Sequence, residues 1–112
     1  MKFQSKKFIP FALASPIVLI VIIFYEKKEN PYDSNLDVTK EYTKLISIAK
    51  SENKNLLIEF GANWCFDCHA LSDILSREPV KSFLKKNYLL LAVDVGKFDR
   101  NLDFSNRFGD PI

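Results

Sequence analysis

The chain has 112 residues, 47% of them hydrophobic and 27% charged, with three glycines, five prolines and two cysteines. That length allows one small domain, two cysteines exclude a scaffold held by several disulfides, and the ordinary charged fraction excludes collagen-like and wholly disordered chains. The net charge of +2 is unevenly spread, since residues 1–29 hold five of the 16 basic side chains and two of the 14 acidic ones. The remainder is near neutral and has no electrostatic footprint for nucleic acid, so no nucleic-acid partner is expected.

Lys2, Lys6 and Lys7 make residues 1–7 a basic N-terminus. From Phe8 to Tyr25 the sequence FIPFALASPIVLIVIIFY then keeps Ser15 as its only polar side chain. As a helix this run would be roughly 27 Å long, close to the hydrocarbon core of a bilayer. The charges that follow it, Glu26, Lys27, Lys28 and Glu29, cancel. The asymmetry predicts a cytoplasmic N-terminus and an exported remainder. A single-pass transmembrane signal anchor over 8–25 is therefore expected, in a bacterial-type inner membrane with the domain on the periplasmic side. Ala12-Leu13-Ala14 resembles a cleavage site and supports a cleaved signal peptide as the alternative. A cut there, however, leaves Ile17 to Tyr25 exposed on the product. A buried helix of a soluble protein is a third reading. Pro16 would kink the helix without excluding a span.

Glu26 to Leu36 (EKKENPYDSNL) is polar and turn-rich and reads as a linker over 26–36. Asp37 is a suitable N-cap, and Val38, Tyr42, Leu45 and Ala49 recur at helical spacing, predicting a helix that ends near Glu52. Leu56 to Phe60, closed by Gly61, reads as a buried strand. A second helix is expected from the cysteines to about Ser76, with Leu71, Ile74 and Leu75 on its inner face. Pro79 restarts a short helix carrying Val80, Phe83 and Leu84, while Lys81, Lys85 and Lys86 form its solvated face. Tyr88 to Val95 is the strongest strand. Strand, helix and strand in that order predict a parallel βαβ unit. A last short helix over Asn101 to Phe108 is capped by Gly109. Two strands alone are too few for a stable sheet.

Both cysteines lie in Trp64-Cys65-Phe66-Asp67-Cys68-His69, between a strand and a helix. Cys65 at the helix start would feel unpaired N–H groups and the positive end of the helix dipole, which favour thiolate. Cys68 comes round to the same side of the first turn, so the two sulfurs can close a disulfide with little backbone movement. Cys65 would attack a substrate disulfide and Cys68 would resolve the mixed disulfide.

The run from Ile58 to Cys68 (IEFGANWCFDC) closely resembles the active-site strand and turn of the thioredoxin superfamily. More narrowly, it is similar to exported thioredoxin-like proteins with an FGANWC-x-DC signature, and the resemblance covers roughly Val38 to Ile112. It implies an α/β thioredoxin-like domain over 37–112 that catalyses thiol–disulfide exchange on extracytoplasmic protein disulfides. It also implies protein dithiol or disulfide substrates, a separate redox partner and no organic cofactor. Cys65 is then the attacking thiol, Cys68 the resolving thiol and Trp64 the aromatic that shields the site. Glu59 aligns with the acidic residue that the family buries beneath its cysteines, where it could accept the Cys68 proton. The other readings are that Glu59 points to the sheet edge or solvent and that Trp64 is an ordinary core aromatic. Phe66 and Asp67 replace the Gly-Pro of typical thioredoxins. An anionic Asp67 opposes thiolate formation at Cys65, as expected of a reductant, although it also suits a helix N-terminus.

The family continues with a cis-proline loop, two more strands and a final helix. Phe108-Gly109 resembles the aromatic-Gly before that loop, but only Asp110, Pro111 and Ile112 follow. Pro111 is too close to Gly109 for the loop proline, so a partial, C-terminally truncated domain is expected.

Three other readings use the same residues. Cys65-Phe66-Asp67-Cys68-His69 matches the c-type haem attachment pattern, with His69 as axial ligand. His69 is however the only histidine and Met1 the only methionine, which leaves a low-spin cytochrome without its usual second ligand. A zinc site would have only Cys65, Cys68 and His69, so no metal is expected. A catalytically impaired remnant, or a tethered binding fragment with a structural disulfide, is the non-enzymatic alternative.

Overall fold

The Asp37 side chain opens the first helix, α1 (Val38–Glu52), by accepting from the Lys40 N–H at 3.0 Å. That satisfies one of the donors a helix start leaves unpaired. Asn53, in the left-handed conformation at φ 54°, stops the helix. Then follow β1 (Asn55–Gly61), α2 (Phe66–Leu75), α3 (Val80–Asn87), β2 (Tyr88–Asp94) and α4 (Leu102–Asn106). This computed structural model describes residues 30–109 and 111–112. The expected anchor over 8–25 lies outside the described residues, among which no helix is long and apolar enough to cross a membrane.

Among the described residues β1 and β2 form a parallel pair, with Ile58 opposite Leu91, Phe60 opposite Val93 and Gly61 opposite Asp94. Alternation along the strands gives the two faces different tasks. Leu56, Ile58 and Phe60, with Leu91 and Val93, pack against Val38, Tyr42 and Leu45 of α1 and Phe104 of α4. The Phe104 ring meets Tyr42 edge-on at 5.4 Å and Phe108 at 5.2 Å, contacts worth about 0.5–1.5 kcal/mol each beyond area burial. The opposite face carries Leu57, Glu59 and Gly61 beside Leu90, Ala92 and Asp94.

Three expectations need correction. Leu71 and Ile74 were expected on an inner face of α2, yet both are exposed and no residue of α2 is fully buried. A two-stranded sheet offers that helix too little surface to cover its apolar stripe. Helix α4 is shorter than expected because the Arg107 and Phe108 N–H groups bond three residues back, to Phe104 and Ser105, in a tightened last turn. Gly109 then takes φ +83°, a conformation suited to glycine. Finally, the segment read as linker is anchored at two points, with Tyr32 only 2% exposed and Leu36 against the core, while Asp33, Ser34 and Asn35 between them are exposed.

Phe104 ties α1, α4 and β1 together, so Phe104→Ala should cost about 3–5 kcal/mol of stability. Urea unfolding followed by Trp64 fluorescence measures this.

Candidate active site

Past Gly61 the chain turns sharply, and the Cys65 N–H donates to the Ala62 carbonyl at 3.1 Å. Cys65 is thereby the N-cap of α2, in extended conformation (φ −80°, ψ 113°), and its Sγ accepts from the Cys68 N–H at 3.2 Å. The sulfur occupies the place where a capping oxygen normally sits, facing the positive end of the helix. Cys65 and Cys68 are joined in a disulfide, their Cα atoms 5.2 Å apart, and both are half-buried. The pair stands beyond the C-terminal end of a parallel strand, where ligand sites of α/β sheets collect.

Beside the disulfide is a cavity of about 220 Å³ walled by Phe60, Trp64, Val95, Phe98 and Pro111. Trp64 is 59% exposed, its indole N–H donating to the Gly96 carbonyl at 2.7 Å and its ring edge-on to Phe98 at 6.0 Å. It is therefore a fixed rim residue and not a core aromatic. Phe66 projects into solvent at 84% exposure.

Glu59 does not point into bulk solvent. It is half-buried, and its Oε1 accepts a hydrogen bond from the Tyr32 hydroxyl. Tyr32 reaches this position because Asn63 grips its backbone twice: Asn63 Oδ1 accepts from the Tyr32 N–H at 3.1 Å, and Asn63 Nδ2 donates to the Tyr32 carbonyl at 2.8 Å. Gly61 makes the room, since a Cβ there would collide with the end of the phenol and stand 3.0 Å from Cys68 Sγ. Burial pushes the Tyr32 phenol well above its ordinary range. The hydrogen bond to Glu59 and the negative charges of Glu59 and Asp94 act in the same direction.

His69 Nε2 lies 2.7 Å from the Asn63 carbonyl oxygen. A carbonyl only accepts, so Nε2 carries the proton, and the ring pins the turn instead of lying free on the helix surface. Among the described residues no group of three or more His, Cys, Asp or Glu is arranged to hold a metal ion. Sequence reasoning brought Cys65, Cys68, Glu59 and Trp64 to this site but missed Tyr32, Asn63 and the steric role of Gly61. A lone aromatic in a polar stretch was the only signal for Tyr32.

A parallel βαβ unit with a Cys-X-X-Cys disulfide capping its helix defines a thioredoxin-like domain. The chain belongs to the thioredoxin-like family, whose model matches residues 37–111. It is similar to the crystal structure of a disulphide isomerase from Xylella fastidiosa Temecula1, with 39% identity and a TM-score of 0.74. That match covers 76% of this chain, which spans 65% of the length of the isomerase structure. No curated protein matches this chain.

The raised phenol gives a signed pH dependence. Native Tyr32 keeps its proton at pH values where an unfolded tyrosine, with its ordinary value of 10.0, has lost it. The stabilisation is intact below about pH 10 and is lost as pH rises toward the native value, because the unfolded state binds fewer protons there. Urea unfolding across that range should show the decline, and Tyr32→Phe should flatten it.

Proposed function

We propose that this chain is a thiol–disulfide oxidoreductase acting on protein disulfides outside the cytoplasm, held at the inner membrane by residues 8–25. The observation that carries the chemistry is the Cys65–Cys68 disulfide at the start of α2, with Cys65 Sγ as the helix cap. In the reduced form the Cys65 thiolate, favoured by the helix N-terminus, attacks one sulfur of a substrate disulfide. The other substrate sulfur leaves as a thiolate and takes up a proton. Cys68 loses its proton toward Glu59 and attacks Cys65 Sγ, closing the Cys65–Cys68 bond and releasing the second substrate thiol. The substrate gains two electrons and the dithiol loses two. A redox partner then returns the electrons.

Likeness to a protein described as a disulphide isomerase supports protein thiols as the substrate class. The rim formed by Trp64 and Phe98 fits apolar residues beside a substrate cysteine. Asp67 lies in the first turn of α2, where its charge suits the helix N-terminus. The haem reading has less support, because His69 Nε2 faces the Asn63 carbonyl and the two sulfurs are bonded to each other.

The full chain in detergent micelles is expected to accelerate dithiothreitol-driven reduction of insulin. Cys65→Ser should abolish the acceleration, and Cys68→Ser should trap a mixed disulfide visible on a non-reducing gel. A folded sample without turnover would favour the tethered binding fragment. Separately, the protein expressed in bacteria should stay with membranes through an alkaline carbonate wash. Release into the supernatant would remove the anchor from this reading.

A further inference from the structure

The Tyr32 hydroxyl lies in the gap above Gly61 that Cys68 Sγ also borders. It donates to Glu59 Oε1, and the end of its ring crowds the point above Gly61 that is 3.0 Å from Cys68 Sγ. Glu59 and Gly61 alternate onto the same face of β1, with Ala92 opposite Glu59 and Asp94 opposite Gly61 in register. The phenol thus enters a gap that larger side chains would close. Its position is fixed from the backbone by the paired hydrogen bonds to Asn63, and Tyr32 is 2% exposed. A hydroxyl has one proton to donate and two lone pairs that accept. With the proton committed to Glu59, an accepting site is left for a neighbouring S–H.

We propose that the Tyr32 hydroxyl is the bridge by which the Cys68 proton reaches Glu59. This rests on the thiol–disulfide reading above and assigns a residue to its proton step. The Cys68 S–H bond breaks and its proton passes to Tyr32 Oη, while the proton already on Oη passes to Glu59 Oε1. Cys68 Sγ then bonds to Cys65 Sγ, the bond from Cys65 to the substrate sulfur breaks, and the substrate leaves as a thiolate. Tyr32 is a neutral phenol before and after. The charged groups facing the phenol are Glu59 from β1 and Asp94 from the end of β2, and both oppose a phenolate. Tyr32 therefore relays a proton and does not serve as the base.

The test uses the full chain in detergent micelles, reduced with dithiothreitol, desalted, and mixed with excess oxidised glutathione. Acid quenching and intact mass follow the glutathione adduct on Cys65. Near neutral pH, Tyr32→Phe should form the adduct at the unmodified rate but resolve it roughly 10- to 100-fold more slowly. The two decay rates should converge above about pH 9.5, where hydroxide removes the Cys68 proton unaided. Glu59→Gln should slow resolution in the same way. Slow resolution in Glu59→Gln with an unmodified rate in Tyr32→Phe would overturn the relay and leave direct transfer to Glu59 standing. If the unmodified chain forms no adduct, the thiol–disulfide reading falls and the relay with it. A measurement without substitution guards against a variant that does not fold: resolution by the unmodified chain in mixtures of light and heavy water. A curved dependence on deuterium fraction is expected for two protons in flight, and a straight line overturns the proposal.

Discussion

The absence of a side chain at Gly61 is the constraint on which the site depends. Three parts of the molecule meet in the space it leaves: the segment before α1 brings Tyr32, β1 brings Glu59 and α2 brings Cys68. A methyl group there would drive the phenol from the carboxylate or lift the sulfur away from the sheet. Asn63 complements this from the turn. Its side chain holds the Tyr32 backbone while its carbonyl accepts from His69. The loop that presents the cysteines is thus fastened both to the chain that precedes α1 and to the first turn of the helix that follows.

The two sulfurs sit in different electrostatic surroundings. Cys65 faces the start of α2, where unpaired N–H groups favour negative charge. Cys68 Sγ borders the gap above Gly61, where Glu59 and Asp94 keep the neighbouring Tyr32 hydroxyl protonated. That division suits a pair in which one thiol attacks as an anion and the other waits with its proton until a mixed disulfide forms. The apolar rim of Trp64 and Phe98 adds a surface on one side of the bond without burying it.

Stability and function are separated by the pleat. One face of the strand pair is filled by Ile58, Phe60, Leu91 and Val93 under α1 and α4. The other gives positions that could have held large apolar side chains to Glu59, Gly61, Ala92 and Asp94. Local choices that weaken packing collect at functional sites, and Leu90 on the same face stays exposed. The core-side periodicity was regular, so reading it gave α1, both strands and the parallel pairing. The site-side pattern was irregular, and it misled the inner-face assignment of α2.

The chain by itself determined whatever depends on near neighbours. The Asp37 cap, the stripe from Val38 to Ala49, the βαβ order and the placing of Cys65 and Cys68 on one helical turn all follow from spacing and side-chain chemistry. It also marked Glu59 as the acidic residue in the active-site strand, through resemblance. Only the tertiary structure decided what Glu59 touches and whether Trp64 is core or rim, because those outcomes depend on residues far apart in the chain. Tyr32 is 27 residues from Glu59 and Gly96 is 32 from Trp64. Tyr32 sits in a stretch whose polar composition signals a linker, and no local periodicity can reveal an aromatic that is buried by a glycine on a distant strand.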